Sequence, residues 1–585
     1  MGATVVSLFS FRQHATVIIN LSSLISIAVF MRWGTYGPRT QAVFNFVDRH
    51  ARLLLASWVL GYLAWCGLVL FSNPYTYETS HGDAVFASQT LWNLTDGLRP
   101  ENSFFTFSDI PSNGSDPRYF KSDGYVSVFS LHQCWLPMAV LSPLYAIFPK
   151  PPMHVFALQI CILAFGVPGM YWAARQAGLS RPLSVVSAIG YSLLPQVDTQ
   201  LFFKGYFDAL ALGVLPWLFG ALIGRKWRLM YVFAFLTASI SFPYTYFVTI
   251  VGLATMIFFR GWVPGAIVAL IGWMVLRVDT AVYAAAVSPY IDTSKAMPSF
   301  LQLYVLDRTI GSLGYNFKIN SAYIIVLMQG LAYMPLLALW RNHRWNMPIL
   351  GFWAILAGAF VMMLFRSAGW EFQRNSLFIV PVFVMALIGY ADLVKQAGAE
   401  STSASQVLWW RKVPTAMLLG SMAVLIFLGP LYNNPPLGSH LPWGESGYIR
   451  RNNDTMNWDG VLKKLYSVVP ASASIAWRAS PEVQAILTNR QHSWSIGREP
   501  EGVSYYVFLG NAQTTREAQE WDALIEKFRQ QPNLKLAYEE VAGQRLIVFK
   551  NQDAHAIRRN ENHLGWTVLL KALSGAQKLP MSGVR

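Results

Sequence analysis

The feature that most constrains this chain is an alternation. Long apolar runs are separated at every second junction by short basic clusters and at the junctions between by polar, acidic or aromatic loops. The clusters are Arg32, Arg39, Arg49 and Arg52; Arg175 and Arg181; Arg225-Lys226-Trp227-Arg228; Arg260; Arg341 and Arg344; Lys395, Arg411 and Lys412. Basic residues confined to one set of loops orient membrane spans, so the chain reads as an α-helical polytopic membrane protein. Apolar side chains make up 54% and charged ones 13% of its 585 residues, a balance a soluble domain does not have. The net charge of +15 is carried by the span-flanking clusters, which touch anionic head groups, and this argues against a nucleic-acid binder. Cys66, Cys134 and Cys161 show no CxxC spacing, so neither a zinc site nor a disulfide framework is expected.

The first apolar segment, 16–31, is near the lower length limit for a span and is either a first crossing or an interfacial helix. Further spans are expected over 53–71, 155–174, 183–194, 206–223, 229–240, 244–259, 263–275, 322–340, 348–364, 376–393 and 413–428. That makes about eleven, or twelve with the N-terminal one, judged by the hydrocarbon thickness. The pair flanking Pro243 is short. Residues 1–431 would form the membrane domain, with external loops at 72–153 and 281–320. Within the first loop, 131–148 is apolar but holds Pro137 and Pro143. A helix lying flat on the surface suits it, because lipid cannot replace the hydrogen bonds that internal prolines remove.

Beyond Pro430 the composition changes. Residues 432–552 read as an extracytoplasmic α/β domain and 553–585 as a tail. Strands are expected at 474–477, 504–509, 534–541 and 545–550, the last two as a hairpin through Ala542-Gly543. A helix over 514–530 has a Thr514…Glu517 capping box and an apolar stripe of Ala518, Trp521, Ile525 and Phe528.

Asp83 stands where the 53–71 span has given way to the first external loop. A carboxylate at a bilayer edge either meets water, a cation or a donor in a functional site, or caps the helix that follows. The turn Arg366-Ser367-Ala368-Gly369-Trp370-Glu371-Phe372-Gln373-Arg374 places two guanidiniums at a span mouth, where they either snorkel or grip phosphate bidentately. His132 opens the proline-broken helix and is either simply hydrogen-bonded or orients a ligand.

Several of these residues carry a resemblance. Asp83-x-x-Phe86-x-x-Gln89-x-x-Trp92 follows an outward span; His132 opens a helix that closes on Leu141-Ser142-Pro143-Leu144-Tyr145-Ala146-Ile147-Phe148-Pro149; a span then ends at Tyr171-Trp172-Ala173-Ala174-Arg175. Together they resemble an uncharacterised bacterial and archaeal membrane-protein family of the DUF2079 type. That family is grouped with the GT-C glycosyltransferases, which include protein mannosyltransferases and lipid A aminoarabinose transferases. The stretches Val469-Pro470-Ala471-Ser472-Ala473-Ser474-Ile475-Ala476 and Tyr505-Tyr506-Val507-Phe508 resemble the family's external tail domain.

The resemblance implies a GT-C-like fold and transfer of a sugar from a polyprenyl-phosphate donor to an extracytoplasmic glycan, lipid or protein acceptor. Asp83 would be the carboxylate that activates or orients the acceptor, acting as base, joined by His132 and Asp208; Arg374, Lys204 and Arg366 would bind the donor phosphate; Gln89, Trp92, Tyr206 and Glu371 would support the acceptor. A leaving phosphate and an incoming hydroxyl require the same two parts, a base and a cluster of cations. A divalent cation is compatible with these acids, and the sequence requires none. Location in a bacterial or archaeal plasma membrane is implied, with membrane lipids as neighbours.

The chain departs from the family pattern at two points. Tyr206 stands at or near a family His with Asp208 in place of Glu, and Ser241-Phe242-Pro243-Tyr244-Thr245 occupies the place of a Lys-Glu-Asp cluster. The departures leave open a non-catalytic assembly protein on the same scaffold. A lipid or solute transporter would show mid-membrane acids in repeated halves, whereas here the charges gather at span mouths.

Overall fold

The computed structural model describes residues 38–71, 89–94, 153–194, 209–287, 347–365, 376–399, 458–470, 472–479, 492–497, 499–510, 515–541 and 545–557. It also describes isolated positions and short pieces, among them 101–102, 126–127, 313–314, 316–317 and 415–420 in part.

Helix α1 (Pro38–Phe71) begins on a proline, which is favoured at the first helical position, and breaks at His50, where φ is −109° and ψ 15°. Arg39, Arg49 and Arg52 were expected in a loop. They lie instead in a mostly exposed helical arm and at its junction with the crossing segment. Asp48 of this arm reaches Arg181 at 3.9 Å, so two predicted basic junctions sit at the same end of the bundle.

Helices α2 (Met153–Gln176) and α3 (Arg181–Ser192) form a hairpin. Gly178 ends α2 at φ +100°, with its N–H donating to the Arg175 carbonyl and the Leu179 N–H to that of Ala174, while the Arg175 guanidinium donates to the Leu179 carbonyl. This is the Schellman arrangement, which satisfies carbonyls that a helix end otherwise leaves bare. Helices α4 (Leu210–Ile223), α5 (Trp227–Ala238), α6 (Phe242–Phe258) and α7 (Trp262–Val287) follow, then α8 (Met347–Phe365) and α9 (Ser376–Ala399). The α7 span was expected to stop near Val275. It continues as helix through Arg277 and Asp279 to Val287, because no proline or glycine after Gly272 interrupts it.

Among the described residues, three helices are long and apolar enough to cross a membrane: Ala157–Gln176, Trp262–Ala281 and Met347–Leu364. Four more are apolar but shorter: Leu210–Ile223, Trp227–Ala238, Pro243–Phe258 and Ser376–Asp392. The expected spans at 322–340 and 413–428 and the flat helix at 131–148 lie largely or wholly outside the described residues. Between α1 and the next long helix, β1 (Glu101–Asn102) and β2 (Val126–Ser127) pair antiparallel.

The helices pack through small residues. A Cβ on Gly213 of α4 would collide with the Ile162 carbonyl of α2, and one on Gly166 of α2 with the Leu212 carbonyl of α4. Such backbone-to-backbone approach is how helices associate where lipid is as apolar as the side chains. The outward faces agree: Leu53, Leu60, Val232, Ile257, Trp262 and Trp273 are exposed, large apolar groups that only a bilayer solvates without cost.

The C-terminal unit has its own cores. Its sheet runs in the order β4 (Ser493–Ser495), β3 (Ile475–Ala479), β5 (Tyr505–Leu509), β7 (Leu546–Asn551), β6 (Leu534–Glu540), the first three parallel and the last pair an antiparallel hairpin. Helix α10 (Trp458–Val468) packs Leu462 and Leu465 with Val507 and Val548 on one face. Helix α11 (Thr515–Arg529) packs Trp521, Ile525 and Phe528 with Phe508, Ile547 and Phe549 on the other. Strands buried on both faces read as continuous apolar runs, as Val507-Phe508-Leu509 and Leu546-Ile547-Val548-Phe549 do. Four strands and α11 fall within a residue or two of their expected positions. Helix α10 and the three-residue β4 were not expected, although Val461, Leu462, Leu465 and Val468 recur at helical spacing with Asp459, Lys463 and Lys464 off that stripe.

Candidate functional site

Helix lengths create the site. Measured from the basic cluster at its start, α5 has 12 residues. At 1.5 Å per residue it rises only about 18 Å, well short of a hydrocarbon layer of about 30 Å. The turn that follows therefore lies at bilayer depth. Non-helical backbone is tolerated there only where protein encloses it or it lines a cavity.

The turn is enclosed. Ser241 is extended at φ −167° and ψ 166°, and Pro243 sits in the first turn of α6. Thr237, Ile240, Tyr244 and Thr245 are buried. The Ile240 N–H donates to the Thr237 carbonyl, the Tyr244 N–H to that of Ser241, and the Ser239 hydroxyl to that of Phe235. Tyr244 OH lies 2.7 Å from Ser376 Oγ, fully buried. One hydroxyl bridge therefore joins the start of α6 to the start of α9, which enters directly from Arg374-Asn375. The Thr237 hydroxyl, in the last turn of α5, is buried with no hydrogen-bond partner among the described residues.

Other elements reach the same level. Tyr191 OH donates to the Leu212 carbonyl at 2.7 Å, tying the end of α3 to the start of α4, and its ring meets Phe383 of α9 edge-on at 5.5 Å. Trp58 Nε1 donates to Ser192 Oγ at 3.0 Å, bringing in α1. Asn316 Nδ2 caps the Leu364 carbonyl at 2.9 Å, one of the last carbonyls of α8, just before Arg366. The polar ends of α3, α4, α6, α8 and α9 thus carry buried or part-buried hydrogen bonds, whereas the opposite ends of α3, α4 and α6 carry the exposed Arg181, Arg225 and Arg260.

Of the residues expected in a site, Gln89 and Trp92 are described. They lie on helical residues 89–94, Gln89 fully buried and Trp92 half-buried, with Leu91 and Leu94 in the main core. Asp83, His132, Lys204, Tyr206, Asp208, Arg366, Glu371 and Arg374 lie outside the described residues. Sequence reasoning did not single out Thr237 or Ser376, and it met Tyr244 only within the stretch that departs from the family's Lys-Glu-Asp cluster. The signal that would have found them is the shortness of the two apolar runs around Pro243, which puts a turn within the membrane.

Residues 83–557 match the family model described as predicted membrane protein (DUF2079). The chain belongs to this family. It is an integral membrane protein. Among solved structures it is similar to the arabinofuranosyltransferase AftD from Mycobacteria, at 14% identity over 86% of this chain with a TM-score of 0.47. The chain spans 42% of the AftD chain. It is also similar to ArnT from Cupriavidus metallidurans bound to undecaprenyl phosphate, at 11% identity over 86% of this chain and 99% of that one, with a TM-score of 0.47. No curated protein matches the chain.

Proposed function

We propose that this family member is a GT-C-type membrane glycosyltransferase, moving a sugar from a polyprenyl-phosphate donor to an acceptor on the side opposite the basic helix ends. The observation that carries the reading is the Tyr244–Ser376 bridge beside a turn at bilayer depth. It anchors the start of α9, and Arg374 precedes Ser376 by two residues in the sequence. In this reading Arg374 receives the lipid-borne phosphate, because a guanidinium binds phosphate bidentately.

In this reading Asp83 takes the proton from the acceptor hydroxyl as that oxygen attacks the anomeric carbon. The bond from that carbon to the phosphate oxygen breaks, and the charge left on the phosphate is taken by Arg374, with Lys204 and Arg366. His132 and Asp208 complete the polar wall, and Gln89, Trp92, Tyr206 and Glu371 shape the acceptor side. Residues 432–552 form the extracytoplasmic cover, and the membrane is the plasma membrane of a bacterium or archaeon.

The test is transfer of labelled sugar in membranes carrying Asp83→Asn or Arg374→Gln. A lost general base lowers turnover by about 10²–10⁴-fold, and the arginine variant should lose donor binding first, with unchanged levels of inserted protein. Full turnover by Asp83→Asn removes the acid from the mechanism.

A second reading has its own support. The turn that in the family carries a Lys-Glu-Asp cluster is here uncharged, and Tyr244 and Ser376 bind one another. An assembly protein that kept the scaffold without the chemistry would look the same at this turn. Mass spectrometry of co-purified material separates the two: polyprenyl-phosphate species favour the transferase, and a stoichiometric membrane-protein partner favours the scaffold.

A further inference from the structure

At the basic end of the bundle the C-terminal ends of α2, α4 and α6 meet α8 and α9 around a cavity of about 510 Å³. Its wall includes Arg225, Arg260 and Asp392, over an apolar floor containing Phe258, Phe259 and Ile388. Arg225 and Arg260 are the two non-glycine residues with positive φ among the described residues, at 52° and 55°. Each occupies the position just past a helix end where glycine is the usual occupant. The Arg225 N–H donates to the Leu222 carbonyl and the Lys226 N–H to that of Ala221, closing α4; the Gly261 N–H donates to the Thr255 carbonyl, closing α6. A side chain in this conformation is disfavoured against glycine. Two such residues facing one cavity are backbone strain gathered in one place, which marks sites where the side chain itself is needed.

Among the described residues neither guanidinium makes a salt bridge or a side-chain hydrogen bond. Two arginines stand against one aspartate in its lining, so the cavity keeps a positive excess, and the exposed Lys226 and Arg228 follow Arg225 in the chain. Met347, 42% exposed, lines it, and Trp262, 66% exposed, follows Arg260 by two residues; beside such apolar surface acyl chains rather than water would be the neighbours. A soluble anion has no use for that rim.

We infer that this cavity binds the phosphoryl head group of an anionic phospholipid of the cytoplasmic leaflet, clamped between Arg225 and Arg260 with its chains along Trp262 and Met347. Basic pockets between helices on the cytoplasmic side are where such head groups lodge. The site is at the far end of the bundle from the proposed transfer site, and stands or falls without it.

The test uses the full chain in detergent, titrated with cardiolipin, with phosphatidylcholine or with inorganic phosphate and followed by native mass spectrometry. In the double variant R225G/R260G cardiolipin binding should weaken roughly thirtyfold, the factor that two arginines near a charged surface supply. Phosphatidylcholine binding should not change. Because glycine accepts the left-handed backbone, the variant should unfold at or above the wild-type temperature, which separates a lost ligand from a lost fold. Equal cardiolipin affinity in the two proteins overturns the inference. Displacement of cardiolipin by an equal concentration of inorganic phosphate overturns it as well, by assigning the cavity to a soluble anion.

Discussion

In the helix bundle Tyr244, Thr245 and Ser376 are buried while Val232 and Trp273 face outward; in the C-terminal sheet unit Phe508, Trp521 and Phe549 are buried while Lys464, Glu539 and Glu540 lie toward the surface. The same residue types hold opposite places because each unit turns to its solvent what that solvent tolerates. Water solvates a carboxylate freely, and lipid does the same for a valine. Buried hydroxyls in the bundle must then bond one another or a carbonyl, and charges in the sheet unit pair at the rim, as Lys464–Glu540 at 2.7 Å and Arg545–Asp522 at 2.6 Å do.

Five substitutions test this contrast. The largest effect is expected from Phe549→Ala, which empties the aromatic cluster of Phe508, Phe528 and Phe549 and should cost about 3–5 kcal/mol in the sheet unit. Hydrogen exchange of β5 and β7 in the full chain would report it, with the bundle unaffected. Next, the same exchange made in both units should diverge. Val232→Lys, on a lipid-facing position 53% exposed in α5, should cost about 3 kcal/mol, the difference between an apolar and a charged side chain in a bilayer. Leu536→Lys, 42% exposed on β6, should stay within about 0.5 kcal/mol. Equal effects, read as the fraction surviving a heat challenge in membranes, would break the contrast.

Tyr244→Phe should cost about 1–3 kcal/mol, because it leaves the Ser376 hydroxyl buried without its partner. Phe at 244 paired with Ser376→Ala should recover part of that loss. The smallest effect is expected from Glu540→Gln. The Lys464 ammonium and then the Tyr538 hydroxyl hold the Glu540 carboxyl below its ordinary value of 4.5. Its contribution is therefore complete above that value and lost as pH falls through the lowered one. The group is open to solvent, so the difference between wild type and variant should be slight and should shrink further with salt, as chemical denaturation at pH 7 and pH 3 would show.

Much of the fold is legible in the order of residues alone. The basic clusters mark the ends of α2, α4, α6 and α8 because positive charge at a span end is a local property of the chain. The hairpin of β6 and β7 and the helix α11 are legible for a similar reason, since their alternation and capping lie within a few residues of sequence. The arm before His50 reads as a loop because arginines alone do not say whether a flanking segment is helical. Helix α10 is open to the same reading, since Val461, Leu462, Leu465 and Val468 recur at helical spacing, but the sheet face that buries them includes β5 and β7, far along the chain.

Of the expected site, Gln89 and Trp92 are placed on a buried helical piece, and the acids and cations proposed for transfer lie outside the described residues. The turn at Ser241 is visible as a short pair of apolar runs, but its bond to Ser376 spans 132 residues and no local pattern announces it. Sequence by itself determined the solvent of each unit, the helix ends at which basic residues gather and the family, since these follow from how apolar and charged residues are ordered along the chain. Only the tertiary structure decided that a hydroxyl bridge closes the turn at bilayer depth, and that two left-handed arginines from different helices face one cavity. Both depend on which helix ends meet in space, and that is settled by close packing among distant residues such as Gly166 and Gly213.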